Sequence, residues 1–95
     1  PLDRAAVLEA AGRSKLLMTV EEHNVLGGLG AAVAEVLSDV GASVRLVRHG
    51  IHDEYSLIAP PTHLYRHYML DAEGVAHVAR RAIAGETVRP GALPA

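Results

Sequence analysis

Two adjacent carboxylates, an imidazole and three glycines crowd into the stretch Thr19-Val20-Glu21-Glu22-His23-Asn24-Val25-Leu26-Gly27-Gly28-Leu29-Gly30. A carboxylate beside an imidazole can move protons if the two are buried together. Glycines at the start of a helix can cradle a phosphate, because free amides and a partial positive charge gather there. Alternation along an extended chain sends Glu21 and Glu22 to opposite faces, so they do not form a catalytic pair. No Lys-Ser or Lys-Thr follows the glycines, so the turn is not a P-loop, and Gly-Gly-x-Gly is less than the full dinucleotide fingerprint. Two readings of Gly27, Gly28 and Gly30 stay open: close strand-to-helix packing, or a site for an anion or regulatory nucleotide. Glu21, Glu22 and His23 are expected to bond or bridge to a neighbouring domain or subunit. The six residues together form a candidate anion or interface crevice.

The remaining chemistry is sparse. Six histidines are many for 95 residues, and His63 and His67 have the i, i+4 spacing of one helix face. A zinc helix would place Glu beside the first of them, where Leu64 stands, and would need a third ligand. His49 and His52, around a glycine, offer no better set, and no metal site is expected. Ser14, Ser38, Ser43 and Ser56 lack the Gly-x-Ser-x-Gly elbow of a serine hydrolase. The cluster Tyr65-Arg66-His67-Tyr68 suits covering the core with tyrosine hydroxyls at the surface, with use at an interface as the second reading.

Positioning these groups requires elements, and the apolar periodicity supplies them. Asp3 is an N-cap for a helix over Arg4 to Ala11, with Gly12 as its stop. Lys15 to Glu22, carrying Leu16-Leu17-Met18-Thr19-Val20, reads as a strand buried on both faces, as in a parallel sheet. From Gly28 to Val40, Leu29, Val33, Val36, Leu37 and Val40 make one helical stripe that Gly41 ends. Ser43 to Arg48 is a second strand, and the strand–helix–strand unit is then a right-handed parallel crossover. Gly50 to Pro61 reads as an ordered loop, followed by a helical turn over Thr62 to Met69. Asp71 caps a last helix that Gly85 closes, and Glu86 to Ala95 reads as a loose tail. The ligand crevice of an open α/β sheet lies at the carboxyl ends of the strands, which is where Glu21 to Gly30 falls.

Composition bounds what these parts can become. About half of the residues, 49%, are apolar, and Phe and Trp are absent, so one small aliphatic core is available. Stacking platforms for single-stranded nucleic acid are missing. The nine Lys and Arg are scattered in a chain of net charge −2, so no footprint for a polyanion exists and nucleic acid is not an expected partner. The absence of cysteine fits an intracellular, cytoplasmic chain. Apolar runs fall well short of the roughly 18 residues of a membrane span. Pro1-Leu2-Asp3 has no signal-peptide pattern and reads as a cut or processed end. Two strands cannot cover their own edges, so further strands are expected from elsewhere in the protein or from a partner.

Pro1-Leu2-Asp3, then Val20 to Gly30, then Leu64-Tyr65-Arg66-His67-Tyr68-Met69-Leu70-Asp71-Ala72-Glu73-Gly74-Val75-Ala76 closely resemble the C-terminal domain of transketolases. 1-Deoxyxylulose-5-phosphate synthases and the β subunits of 2-oxo acid dehydrogenases share that domain. The resemblance spans nearly all of residues 1 to 85, a domain that the tail 86 to 95 would follow. It implies an α/β three-layer sandwich, a mainly parallel sheet flanked by helices, whose first strands lie upstream of Pro1 and are absent from this chain. It also implies that thiamine diphosphate, its magnesium and the catalytic groups sit in other domains; no Gly-Asp-Gly metal pattern occurs here. One departure is Met69, where members usually carry a Gly suited to a left-handed helix end. Either the turn differs here or the helix runs on to Leu70.

The expected function is a non-catalytic domain of a thiamine diphosphate-dependent transketolase-type enzyme, moving a two-carbon ketol unit between sugar phosphates. It would supply scaffold and contacts within a homodimer. A 1-deoxyxylulose-5-phosphate synthase or dehydrogenase β-subunit domain is the near alternative. A stand-alone anion- or nucleotide-binding regulatory module is the alternative of another class.

Overall fold

Capping chemistry at Asp3 starts the first helix. In the computed structural model, which describes residues 2–24, 27–51, 66 and 68–86, the Asp3 carboxylate accepts from the Ala6 amide at 3.0 Å. Helix α1 (Arg4–Arg13) follows, then strand β1 (Leu16–Asn24), helix α2 (Leu29–Val40), strand β2 (Arg45–Ile51) and helix α3 (Ala72–Ile83). Gly12 was expected to stop α1, yet the helix runs through it to Arg13 and ends at Ser14 in extended backbone. Gly12 has no positive φ, so it never makes the left-handed turn that a glycine stop uses.

The two strands pair in parallel, Leu16 beside Arg45, Met18 beside Val47 and Val20 beside His49. The fold is α/β. Alternation divides the sheet into two faces. On one, α3 sets Val78 and Ala82 against Val47, with Leu16, Met18 and Met69 around them. On the other, α2 lies against Thr19 and Arg48, and α1 packs on α2 and β1. The result is a sheet with helices on both sides.

Both strands extend past their expected ends. β2 includes Gly50 and Ile51, assigned to a loop by sequence, because both are buried and Ile51 pairs with Asn24. The register breaks between the Val20 and Asn24 pairs, where three residues of β1 stand opposite one of β2. Such a bulge re-aims side chains at the end of a strand.

Two glycine stops hold as expected. Gly41 takes φ 66° after α2, with Ala42 N donating to Leu37 O at 2.9 Å and Gly41 N to Ser38 O at 3.1 Å. Gly85 takes φ 86° after α3, with Glu86 N on Arg81 O at 3.1 Å and Gly85 N on Ala82 O at 3.0 Å. Both are Schellman endings. Residues 52–65, 67 and 87–95, to which the ordered loop, most of the Thr62 to Met69 turn and most of the tail were assigned, lie outside the described residues. Of that turn, Arg66 is helical and Tyr68 and Met69 form the turn into Leu70. Met69 itself adopts the left-handed conformation, at φ 57°. The helix does not continue to Leu70, and the turn that glycine would make is made by methionine.

Candidate functional site

Alternation near the end of β1 separates the two adjacent acids. Glu21 is 4% exposed, whereas Glu22 faces solvent. The Glu21 carboxylate reaches the first turn of α2, where Oε1 accepts from Leu29 N and Oε2 from Gly30 N at 3.0 Å. These are two of the amides that a helix start leaves without an intrahelical partner, and their positive end favours a negative charge. The N-cap residue, Gly28, has no side chain to do this, and it makes no side-chain cap bond. The cap therefore comes from eight and nine positions back in the chain, across the crevice.

Gly30 shows why the turn is glycine-rich. A Cβ there would stand 2.8 Å from Thr19 Oγ1 and 2.9 Å from Arg48 Cγ, closer than real Cβ contacts allow. α2 thus lies directly on the strand pair at this point. Gly27 has φ 74° and open space around it, so its glycine serves backbone conformation instead.

A second buried ionisable group lies on the opposite face. His49 is 1% exposed, and its Nε2 sits 2.7 Å from the Met69 carbonyl oxygen. A carbonyl only accepts, so Nε2 carries the proton of this bond. Gly74 completes the arrangement: a Cβ there would fall 2.5 Å from the Met69 Cα, C and O. The Met69 peptide is therefore held between an imidazole and the first turn of α3. That turn is capped by Asp71, whose Oδ1 accepts from Gly74 N at 2.8 Å.

At the other end of α3, Arg45 donates from Nη1 to Ala82 O at 2.7 Å and from Nη2 to Glu86 O at 2.6 Å. A guanidinium at the carboxyl end of a helix meets both its open carbonyls and its negative pole. Among the described residues, no group of three or more His, Asp or Glu side chains is placed to hold a metal ion.

The family profile described as "Transketolase, C-terminal domain" matches residues 1–75. The chain belongs to the transketolase C-terminal domain family. It is 41% identical over 83 residues to a 1-deoxy-D-xylulose-5-phosphate synthase of Pseudomonas aeruginosa, covering 87% of this chain and 13% of that protein. A protein of the same name from Syntrophotalea carbinolica is 42% identical over 76 residues, covering 80% of this chain and 12% of that protein. One from Hahella chejuensis is 36% identical over 83 residues, with 87% and 13% covered. The chain thus spans about 13% of the length of these relatives.

Within this transketolase C-terminal domain, the structure brings Glu21 together with Leu29 and Gly30 and sends Glu22 away from them. The side chain of His23 lies outside what is described, as do Val25 and Leu26. Arg45 was not singled out from sequence, and His49 was weighed only as a metal ligand. Their signal was present: spaced four apart in a strand, they share one face. No described helix is long and apolar enough to cross a membrane.

Proposed function

We propose that this chain is a non-catalytic C-terminal domain of a thiamine diphosphate-dependent 1-deoxyxylulose-5-phosphate synthase. That parent enzyme would condense pyruvate with glyceraldehyde 3-phosphate, in the cytoplasm and as a homodimer. The buried acid and the buried imidazole of the described residues, Glu21 and His49, hold backbone groups of their own chain, and this observation carries the reading. A buried acid or imidazole serving a reaction must face a substrate. These two face a helix start and a peptide carbonyl. The relatives, all 1-deoxyxylulose-5-phosphate synthases at 36–42% identity, favour this branch over two-carbon ketol transfer between sugar phosphates.

The cofactor implied by that family does not fit the glycine turn. A diphosphate at the α2 amides would stand against the Glu21 carboxylate that already accepts from them, and like charges at that distance repel. Thiamine diphosphate and magnesium are therefore assigned to other domains of the parent enzyme. The same carboxylate argues against the stand-alone anion- or nucleotide-binding module. The crevice of Glu22, His23, Gly27 and Gly28 is left as a contact surface toward those domains. Among the described residues the sheet has two strands, and their outer edges ask for the same partner, since two strands alone leave rows of backbone groups without a ladder.

The test joins this chain to the cofactor-binding domains of the Pseudomonas aeruginosa relative, with magnesium and thiamine diphosphate added. The expected result is pyruvate condensation in the joined protein and none with either part alone. Turnover by the lone chain, or tight phosphate binding by it, would overturn the proposal.

A further inference from the structure

With no cysteine in the chain, the two methionines are its only sulfur, and a thioether is the side chain that a two-electron oxidant then reaches first. The two stand differently. Met18 lies in the middle of β1, paired with Val47. Met69 lies in a turn and is, among the described residues, the one non-glycine position with a positive φ, 57°. Both are half-buried, and both pack against the core cluster of Val47, Val78 and Ala82. Met69 also lines an open groove of about 540 Å³, with Arg66, Gly74, His77 and Arg80 along it.

The backbone of Met69 keeps its sparsely populated conformation only while its surroundings hold it. His49 Nε2 holds the carbonyl at 2.7 Å, the first turn of α3 closes on the main chain at Gly74, and the aliphatic cluster holds the side chain. The third hold depends on the thioether being apolar. A sulfoxide carries a strongly polar S–O bond, and burying a polar group against Val47 and Val78 without a hydrogen bond is costly. The groove offers what the cluster lacks, N–H donors for an oxygen acceptor, on the exposed side chains of Arg66, His77 and Arg80. Arg66 is loosely engaged, its contact with Asp71 being 3.9 Å long.

We propose that Met69 is a reversible oxidation site whose oxidant is a hydroperoxide, and that its sulfoxide leaves Val47 and Val78 for the groove of Arg66 and Arg80, loosening the turn that His49 holds. The sulfur lone pair attacks one peroxide oxygen. An S–O bond forms as the O–O bond breaks, and the second oxygen leaves as water, or as the alcohol of an organic hydroperoxide. The sulfur loses two electrons and the peroxide gains them. A thiol-driven sulfoxide reductase reverses the step, the oxygen leaving as water while two thiols close to a disulfide. Met18 has no such consequence, because its backbone is ordinary strand paired with β2 and carries no strain to release.

Hydrogen peroxide treatment of the 95-residue chain, followed by peptide mass spectrometry, gives the order in which the two methionines take up oxygen. The expected order is Met69 before Met18. The melting temperature should fall by about 5 °C once Met69 is oxidised and recover with methionine sulfoxide reductase. The Nε2 proton of His49 should exchange with solvent faster in the oxidised protein, which a change confined to the side chain would not produce. Met18→Leu should keep the whole response and Met69→Leu should lose it, so the assignment can be read even if one variant fails to fold. Arg66→Ala combined with Arg80→Ala should lower the melting temperature of the oxidised protein more than that of the reduced one. Oxidation of Met18 first, an unchanged melting temperature, or unaltered His49 exchange with Met69 oxidised would overturn the proposal. So would equal effects of the arginine substitutions in the two states, which would leave the sulfoxide without its seat in the groove.

Discussion

His49 donates from Nε2 to the carbonyl of Met69 across 2.7 Å, and the residue it holds stands at φ 57°. A left-handed conformation costs a non-glycine residue roughly 1–2 kcal/mol. Sparsely populated backbone persists only where its surroundings over-determine it. Here the imidazole grips the carbonyl, Gly74 lets α3 close on the Met69 backbone, and Met69 N donates to Arg66 O at 3.1 Å.

Comparing two truncations of Met69 isolates that strain. Met69→Ala and Met69→Gly lose the same packing against Val47 and Val78, so their difference reports the backbone. Glycine should be the more stable by about 1 kcal/mol, after its larger unfolded-state entropy is subtracted. Urea melts of the two variants check this; an alanine variant as stable as the glycine one would contradict a left-handed Met69.

Gly74→Ala and Gly12→Ala should move in opposite directions. The Cβ at Gly74 meets the Met69 backbone at 2.5 Å, whereas at Gly12 it meets nothing within 4 Å. Overpacking against main chain costs about 1–3 kcal/mol or more. Alanine in an open helical position gains roughly 0.5–1 kcal/mol. Melting temperatures of both variants on one instrument suffice.

Glu21→Ala leaves the amides of Leu29 and Gly30 without their carboxylate, the bond to Gly30 being buried and that to Leu29 part-buried. The expected loss is about 1–3 kcal/mol. Glu21→Gln keeps an oxygen for one amide and should lose about half as much. Chemical denaturation gives both values, and exchange at Leu29 and Gly30 locates the damage.

Arg45→Met keeps an unbranched aliphatic stem and gives up the two bonds to Ala82 O and Glu86 O. Because one of them is solvent-exposed, the loss should be about 1 kcal/mol rather than the full value for a buried charge. Arg45→Lys should recover only part of it, since an ammonium cannot fork to two carbonyls. Exchange rates in the last turn of α3 distinguish the three proteins.

Much of this architecture was legible in the sequence because it rests on local rules. Asp3 and Asp71 cap as their types dictate, and Gly41 and Gly85 turn left-handed where periodicity stops. The parallel pairing of β1 and β2 follows from an unbroken apolar run and a helical crossover. The failures came where a distant partner decides. Gly50 and Ile51 looked like loop until pairing with Asn24 drew them into β2, and glycine propensity could not anticipate that. The family habit of glycine at the turn gave no hint that Met69 would keep its left-handed geometry, because His49 and Gly74 lie 20 and 5 residues away in sequence. At the candidate site, alternation separated Glu21 from Glu22 correctly, but nothing local said that Glu21 would serve as the cap Gly28 cannot provide.

From a single face of β2, Arg45 holds the carboxyl end of α3 and His49 the Met69 turn that leads into its amino end. Four residues of strand measure about 13 Å, and a helix of 12 residues about 18 Å, a mismatch that the long Arg45 side chain spans. One tie would leave the helix a pivot, free to swing across the sheet. Two ties remove both the swing and the slide, since moving α3 by one turn along the strand would break both ends together. Strand and helix are thereby joined at two points, so that the Met69 turn and Glu86 keep a fixed spacing along β2.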